Sequence, residues 1–207
     1  MDHRRPLALP LAVPGLILAG VGVFHPHHLT YATSYRWYAL HVAGLLLFPL
    51  VGLALAALVR GRRDPLAWLV RLAVYTYATF YSALDVISGI AAGYVTHELG
   101  PGVPRPDEVR LLFRIGTPLG DVGSWALLVG VAVLAADQVV RHGAPALVGL
   151  LLVPGAWLVH TGHIFSPDGV IGMVLLGVGT GLVGWFAAPE ILGRSEQPDG
   201  GPTRHSG

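Results

Sequence analysis

The chain has 207 residues, of which 53% are hydrophobic, 12% are charged and none is cysteine, and its formal net charge is +1. Because soluble domains carry roughly 25% charged residues, this composition indicates a protein that crosses a membrane several times. The near-neutral charge and the lack of a long basic run give no case for nucleic acid binding, and we expect no nucleic acid partner. The lack of cysteine excludes disulfides, iron–sulfur clusters and thiolate-bound zinc.

Six apolar stretches are long enough to cross a bilayer, which needs about 20 apolar residues of helix. They lie at 6–24, 37–59, 66–94, 122–140, 144–165 and 169–188. The sequence therefore predicts an all-α, polytopic transmembrane helix bundle of about six spans, with a single transmembrane domain over residues 1–190. The remainder, 191–207, is polar and rich in Gly and Pro, and we expect it to be a disordered cytoplasmic tail.

The first stretch follows Arg4 and Arg5, as the apolar part of a signal peptide would. It is long for a signal peptide, and no clear cleavage site precedes Phe24. We therefore expect an uncleaved helix, bent at Pro10 and Pro14, with cleavage as the alternative.

The distribution of arginine predicts how the spans are oriented, because cytoplasmic loops carry an excess of basic residues. With a cytoplasmic N-terminus, most arginines fall inside. These are Arg4, Arg5, Arg60, Arg62, Arg63, Arg71, Arg141 and Arg194, against Arg36, Arg105, Arg110 and Arg114 outside. We predict a multi-pass protein of the cytoplasmic (inner) membrane with both termini in the cytoplasm.

The longest loop, 95–120, is expected outside and to contain a short interfacial helix over 106–116. Acidic residues occupy its first turn, and Gly116 is placed to end it. Asp107, Arg110 and Arg114 share one face by their spacing. We expect this helix to lie on the outer leaflet; the alternative is a lid whose two arginines hold an anionic headgroup.

Ionisable residues interrupt the spans near the predicted outer side, where each needs a partner, a ligand or water. The candidate metal ligands are His25, His41, Asp85, His160 and His163. His160 and His163 are i,i+3 neighbours, and Asp85 lies well inside the third span. We expect His41, Asp85 and His160 to converge, with structural hydrogen bonding between helices as the alternative.

Several other polar residues fit structural roles. His27 and His28 are expected to be solvated in an outer loop, and Asp121 to cap the start of the fourth span. Asp137 and Arg141 form an i,i+4 pair at the inner end of that span.

Histidine and carboxylate ligands without sulfur suit a zinc, iron or manganese ion. A second hypothesis is haem b with His41 and His160 as axial ligands, and a third is a proton relay through Asp85, His41 and His160. In residue types, the set resembles the histidine, aspartate and serine sites of intramembrane zinc hydrolases of the alkaline ceramidase and adiponectin-receptor kind. The chain departs from them in its number of spans and in the spacing of His160 and His163.

The leading functional hypothesis is a membrane protein with an outward-facing His/Asp cluster that binds a metal ion or haem, acting as an oxidoreductase or a metal-dependent hydrolase. The alternatives are a non-enzymatic subunit or scaffold, whose polar residues only join helices, and a small transporter or proton carrier. The expected partners are the lipid bilayer and another membrane protein or a second copy, because the Gly-rich stretch 172–181 favours close helix packing.

Overall fold

A computed structural model describes residues 5–103 and 106–195, with side chains described within 8–103 and 106–187. The described secondary structure is entirely helical. The long helices are α1 (Arg5–Val23), α2 (Tyr31–Ala57), α3 (Pro65–Leu84), α5 (Asp107–His142), α6 (Leu152–Gly162) and α7 (Asp168–Ser195). A π-helical segment, Asp85–Ala91, joins α3 to the short α4 (Ala92–Glu98), and a 3-10 helix, Ala144–Leu151, precedes α6.

Five helical stretches are long and apolar enough to cross a membrane. They are Tyr31–Ala57, Pro65–Glu98, Asp107–His142, Ala144–Gly162 and Asp168–Ala187. The apolar part of α1, Ala8–Val23, is slightly shorter and packs along α7. The predicted all-α bundle of about six spans is confirmed.

The helix predicted over 106–116 begins at Asp107 as expected, but its predicted end at Gly116 is not observed. It continues through Pro118 as α5, which runs without a break to His142. Gly116 is buried against the π-helical segment, where an added Cβ would overlap Ser88. The glycine therefore permits close contact between two helices and does not end one.

At the other terminus, α7 extends through 191–195, so the predicted start of the disordered tail at 191 is wrong. The rest of the predicted tail, 196–207, lies outside the described residues.

Glycine contacts hold the helices together inside the bundle. An added Cβ at Gly177 would lie 2.9 Å from the carbonyl oxygen of Ala12 in α1, and one at Gly172 would lie 2.8 Å from that of Gly155 in α6. The Gly-rich stretch of α7 therefore packs against helices of the same chain, where small residues let backbones approach closely.

An ion-pair network closes the bundle at the α2–α3 turn. Arg62 is 7% exposed and donates hydrogen bonds to Asp64, at 2.8 Å from Nε, and to Asp137 of α5. Arg141 donates to Asp137 at 2.9 Å, so the predicted i,i+4 pair is confirmed. Asp64 also caps α3 by accepting a hydrogen bond from the Ala67 amide.

Candidate functional site: a histidine cluster at one end of the bundle

His25, His41 and His163 form a cluster at the opposite end of the bundle. One ring nitrogen from each lies within 4.8 Å of the others. His25 follows α1, His41 lies in the third turn of α2, and His163 directly follows α6. His25 and His41 are buried, at 4% and 5% exposure, and His163 is half-buried.

The local backbone conformation positions the side chains of His25 and His163. The His25 amide donates to the Gly22 carbonyl at 3.1 Å, and Pro26 then prevents α1 from continuing. His163 follows α6 with a φ of 52°, a positive value that is uncommon for a residue with a side chain. The chain turns there, and the two neighbouring histidines have different partners: His163 is hydrogen-bonded to Tyr81 and His160 to Ser124.

Hydrogen bonds fix which nitrogen of each ring is free. Nδ1 of His25 lies 2.8 Å from the Pro26 carbonyl oxygen, and Nδ1 of His41 lies 2.7 Å from that of Trp37. A carbonyl only accepts, so Nδ1 carries the proton in both rings and Nε2 keeps its lone pair. Nδ1 of His163 is hydrogen-bonded to the Tyr81 hydroxyl at 2.7 Å. Histidines that bind metals usually have their second nitrogen engaged in this way.

Asp85 lies beside the cluster with its carboxylate fully buried. Its Oδ1 is 4.0 Å from Nε2 of His41, and its exposed fraction is 0%. Within the described part of the chain, neither carboxylate oxygen has a hydrogen-bond partner, and nor does Nε2 of His25. A buried polar group without a partner costs roughly 1–3 kcal/mol, and more when it is charged. A cation at this position would supply the missing partner.

The π-helical segment places Asp85 and makes room for His41. A π-helical turn shifts the side chains that follow it, and such turns often occur at functional sites. Here it buries Asp85, Ser88 and Gly89 together. An added Cβ at Gly89 would overlap the ring of His41, and one at Gly44 would overlap the carboxylate of Asp85. Both glycines therefore keep space for the polar side chains opposite them.

Aromatic rings enclose the cluster. The ring of His25 contacts Trp37 at 4.8 Å and Phe165 at 4.7 Å between centroids. Trp37 is held in place because its Nε1 donates to the Ser88 carbonyl at 3.1 Å. Burial, and then the nearby His41, lower the pKa of His25 to about 4. His25 is therefore neutral at pH 7, the form that binds metal ions.

A cavity of about 350 Å³ adjoins the cluster. Its lining includes His41, Tyr81 and His163, and also Ser124 and His160. A ligand in this cavity could contact an ion held by the histidines, since two of the three histidines reach its wall.

His160 reaches this cavity but is not a member of the histidine cluster. Its Nδ1 is hydrogen-bonded to the Ser124 hydroxyl at 2.8 Å, and its ring lies 4.5 Å from that of Trp125. The structure thus brings His25, His41, His163 and Asp85 together and places His160 apart. The ligand roles of all five residues, and the haem pairing of His41 with His160, stay predictions.

Two residues that line the cavity, Asp121 and Tyr81, differ from what the sequence predicts. Asp121 does not cap a helix, because α5 began at Asp107 and Asp121 lies in its interior, facing the cavity. Tyr81, which lies one helical turn before Asp85, hydrogen-bonds His163 and had no predicted role. His27 and His28 are exposed, as expected.

No family model matches the chain, and neither does any curated protein or any solved structure.

Proposed function

We propose that this chain is a membrane metalloprotein in which His25, His41 and His163 bind one zinc, iron or manganese ion. The observation that carries the proposal is the convergence of three imidazoles, each with one nitrogen already hydrogen-bonded, beside a carboxylate that has no hydrogen-bond partner among the described residues. Asp85 is the fourth ligand or the negative charge that balances the ion.

The ligand types suit such an ion, and the distances between the ring nitrogens are only slightly too long for it. Zinc–nitrogen bonds of about 2.0–2.1 Å put two tetrahedral ligand atoms roughly 3.4 Å apart. The ring nitrogens here lie within 4.8 Å of one another, so small side-chain rotations are enough to close the site. Iron and manganese accept the same nitrogen and oxygen ligands.

A bound ion would supply Lewis-acid chemistry and would lower the pKa of a coordinated water, which suits a hydrolase; an iron ion would suit an oxidoreductase. The chain itself contributes the cavity beside the histidines, the aromatic wall that limits water, and the Tyr81 hydroxyl that orients His163. These features favour a catalytic role over a purely structural one, because a structural site is normally closed.

We further propose that the protein lies in the cytoplasmic membrane with both termini inside, so that this site opens outward. The support is the arginine distribution together with the alternating direction of the helices, which puts the histidine cluster and the Arg62 network at opposite ends.

The test is metal analysis of the detergent-purified protein, followed by titration of the metal-free form with Zn²⁺ and Co²⁺. We expect about one equivalent to bind. His25→Ala, His41→Ala and His163→Ala should each weaken binding at least tenfold, since even loss of a supporting hydrogen bond costs about 10–100-fold in metal affinity.

Two histidine variants serve as controls. His160→Ala, in the adjoining cavity, should leave the affinity within about threefold of wild type, and His97→Ala, exposed at the same end of the bundle, should not change it. Protein that binds neither ion, or that loses binding only with His160→Ala, would refute the site.

A further inference from the structure

A second, wider cavity of about 880 Å³ opens at the same end of the bundle. It lies between the loop that follows α1 and the first turns of α5. Arg110, Arg114, His27 and His28 provide its polar wall.

The polar wall of this cavity is basic. None of its lining residues, all of which are described, is acidic. Arg110 and Arg114 are one helical turn apart on α5, and both side chains are exposed. Asp107, outside the lining, accepts a hydrogen bond from Nε of Arg110 at 2.9 Å. Arg114 has no ion pair within the described ranges, so at least one guanidinium charge is unbalanced there.

The floor of the same cavity is aromatic and continues to the histidine cluster. Trp37, Phe113, Thr117 and Phe165 line both cavities. Trp37 and Phe165 are also the rings that contact His25. A molecule held by the arginines would therefore extend over these rings toward the proposed metal ion.

We propose that this cavity binds the phosphate group of an amphiphilic ligand and presents the rest of that ligand to the histidine site. Guanidinium groups bind phosphate oxygens through paired, charge-assisted hydrogen bonds, and the aromatic floor suits an apolar body. A basic pocket at the end of transmembrane helices is also suited to lipid headgroups. The inference names the ligand class of the proposed metal site, and in that respect it rests on the proposed function.

The test compares two short-chain lipids that differ only in a phosphate group. Calorimetry on the full chain in neutral detergent, loaded with Zn²⁺, would measure binding of dihexanoyl phosphatidic acid and of dihexanoylglycerol. We expect phosphatidic acid to bind at least tenfold more tightly. The double variant Arg110→Gln/Arg114→Gln should remove most of that preference.

A matched variant controls for general charge effects. Arg60→Gln/Arg63→Gln removes the same charge from exposed positions at the opposite end and should leave the affinity within about twofold of wild type. Equal binding of the two lipids, or equal loss in the two double variants, would overturn the inference.

Inorganic phosphate identifies the source of the phosphate group. If phosphate alone competes at the same concentrations as the lipid, the site takes a soluble phosphate compound; if only the lipid binds, it takes a headgroup. Both results support a phosphate site, but competition by phosphate alone would overturn the amphiphilic part of the proposal. The absence of binding by either would refute the site.

Zinc content measured on the same samples separates this inference from the proposed function. Full zinc occupancy without phosphate-dependent binding would refute the inference alone. Phosphate-dependent binding by protein that cannot take up zinc would refute the metal site alone.

Discussion

The carboxylate of Asp85 is fully buried beside His41 and lacks a hydrogen-bond partner among the described residues. An isolated buried charge is costly, so a proton or a metal ion must stabilise it in the folded protein. Removing the charge of Asp85 should therefore weaken metal binding without destabilising the metal-free protein.

Asp85→Asn should therefore weaken Zn²⁺ binding at least tenfold while leaving the metal-free protein as stable as wild type, or more stable. Wild type should gain about 2.7 kcal/mol of stability when free Zn²⁺ is 100 times its dissociation constant, and the variant should gain much less. Thermal unfolding in detergent with and without Zn²⁺ measures both effects. A marked loss of stability in the metal-free variant would instead indicate a structural role for Asp85.

The lowered pKa of His25 predicts a pH dependence of the metal-free protein. Its pKa is about 4 when folded and 6.5 in an unfolded chain, so the unfolded state binds the proton first as the pH falls. Stability should be constant with respect to this group above pH 6.5. It should then decline between pH 6.5 and pH 4, by up to about 3 kcal/mol.

The measurement is the melting temperature of metal-free protein in detergent across this pH range. His25→Gln removes the titrating group while keeping a polar side chain, so its curve should be flatter than that of wild type. Equal slopes for the two proteins would show that His25 does not contribute.

At the scale of helices, the Arg62 network makes a prediction about stability. Asp137→Asn would leave the buried guanidinium of Arg62 with only Asp64 as a carboxylate partner. Breaking a buried ion pair by removing one partner typically costs about 3–5 kcal/mol. We expect a loss near the lower end of that range, because Asp64 remains.

Asp107→Asn is the matched control. It breaks an ion pair whose side chains are 62% and 82% exposed, and such pairs contribute only about 0–1 kcal/mol. Chemical unfolding of both variants in mixed micelles gives the comparison. Similar losses for the two would show that the Arg62 network does not lock α2, α3 and α5 together.

Apolar length was enough to predict the spans, because a helix that crosses a bilayer must satisfy its backbone internally and present apolar side chains. Depth along the spans also placed His41 and Asp85 at the same end. The continuity of α5 could not be predicted, since Gly116 and Pro118 resemble helix-ending residues in sequence. The structure explains the glycine differently, because the π-helical segment approaches so closely that an added Cβ at Gly116 would overlap Ser88.

Which histidines form the cluster could not be predicted from the sequence either. Depth along the span favoured His160 over His163 as the partner of His41 and Asp85. The chain turns at His163, where φ is positive, and this histidine joins the cluster, whereas His160 is hydrogen-bonded to Ser124. His25 depends likewise on how the chain turns at Pro26. Loop conformations set by tertiary contacts leave no periodic signal in a sequence.

At the scale of the whole molecule, the bundle has two polar ends. The histidine cluster and the Arg110–Arg114 cavity lie at one end, and the buried Arg62 network with the exposed Arg60 and Arg63 lies at the other. The arginines clustered in the α2–α3 turn favour a cytoplasmic position for the end that carries the Arg62 network.

This orientation predicts the result of labelling with a thiol reagent that does not cross membranes. The chain has no cysteine, so Val103→Cys and Arg63→Cys each introduce a single exposed thiol, at opposite ends of the bundle. Val103→Cys should react in intact cells, whereas Arg63→Cys should react only after the membrane is opened, because the positive-inside rule puts the α2–α3 turn in the cytoplasm. The reverse pattern would place the histidine cluster on the cytoplasmic side. In that orientation, any phosphate-bearing ligand would have to arrive from the inner leaflet. Reaction of both thiols in intact cells would contradict the six-span bundle itself.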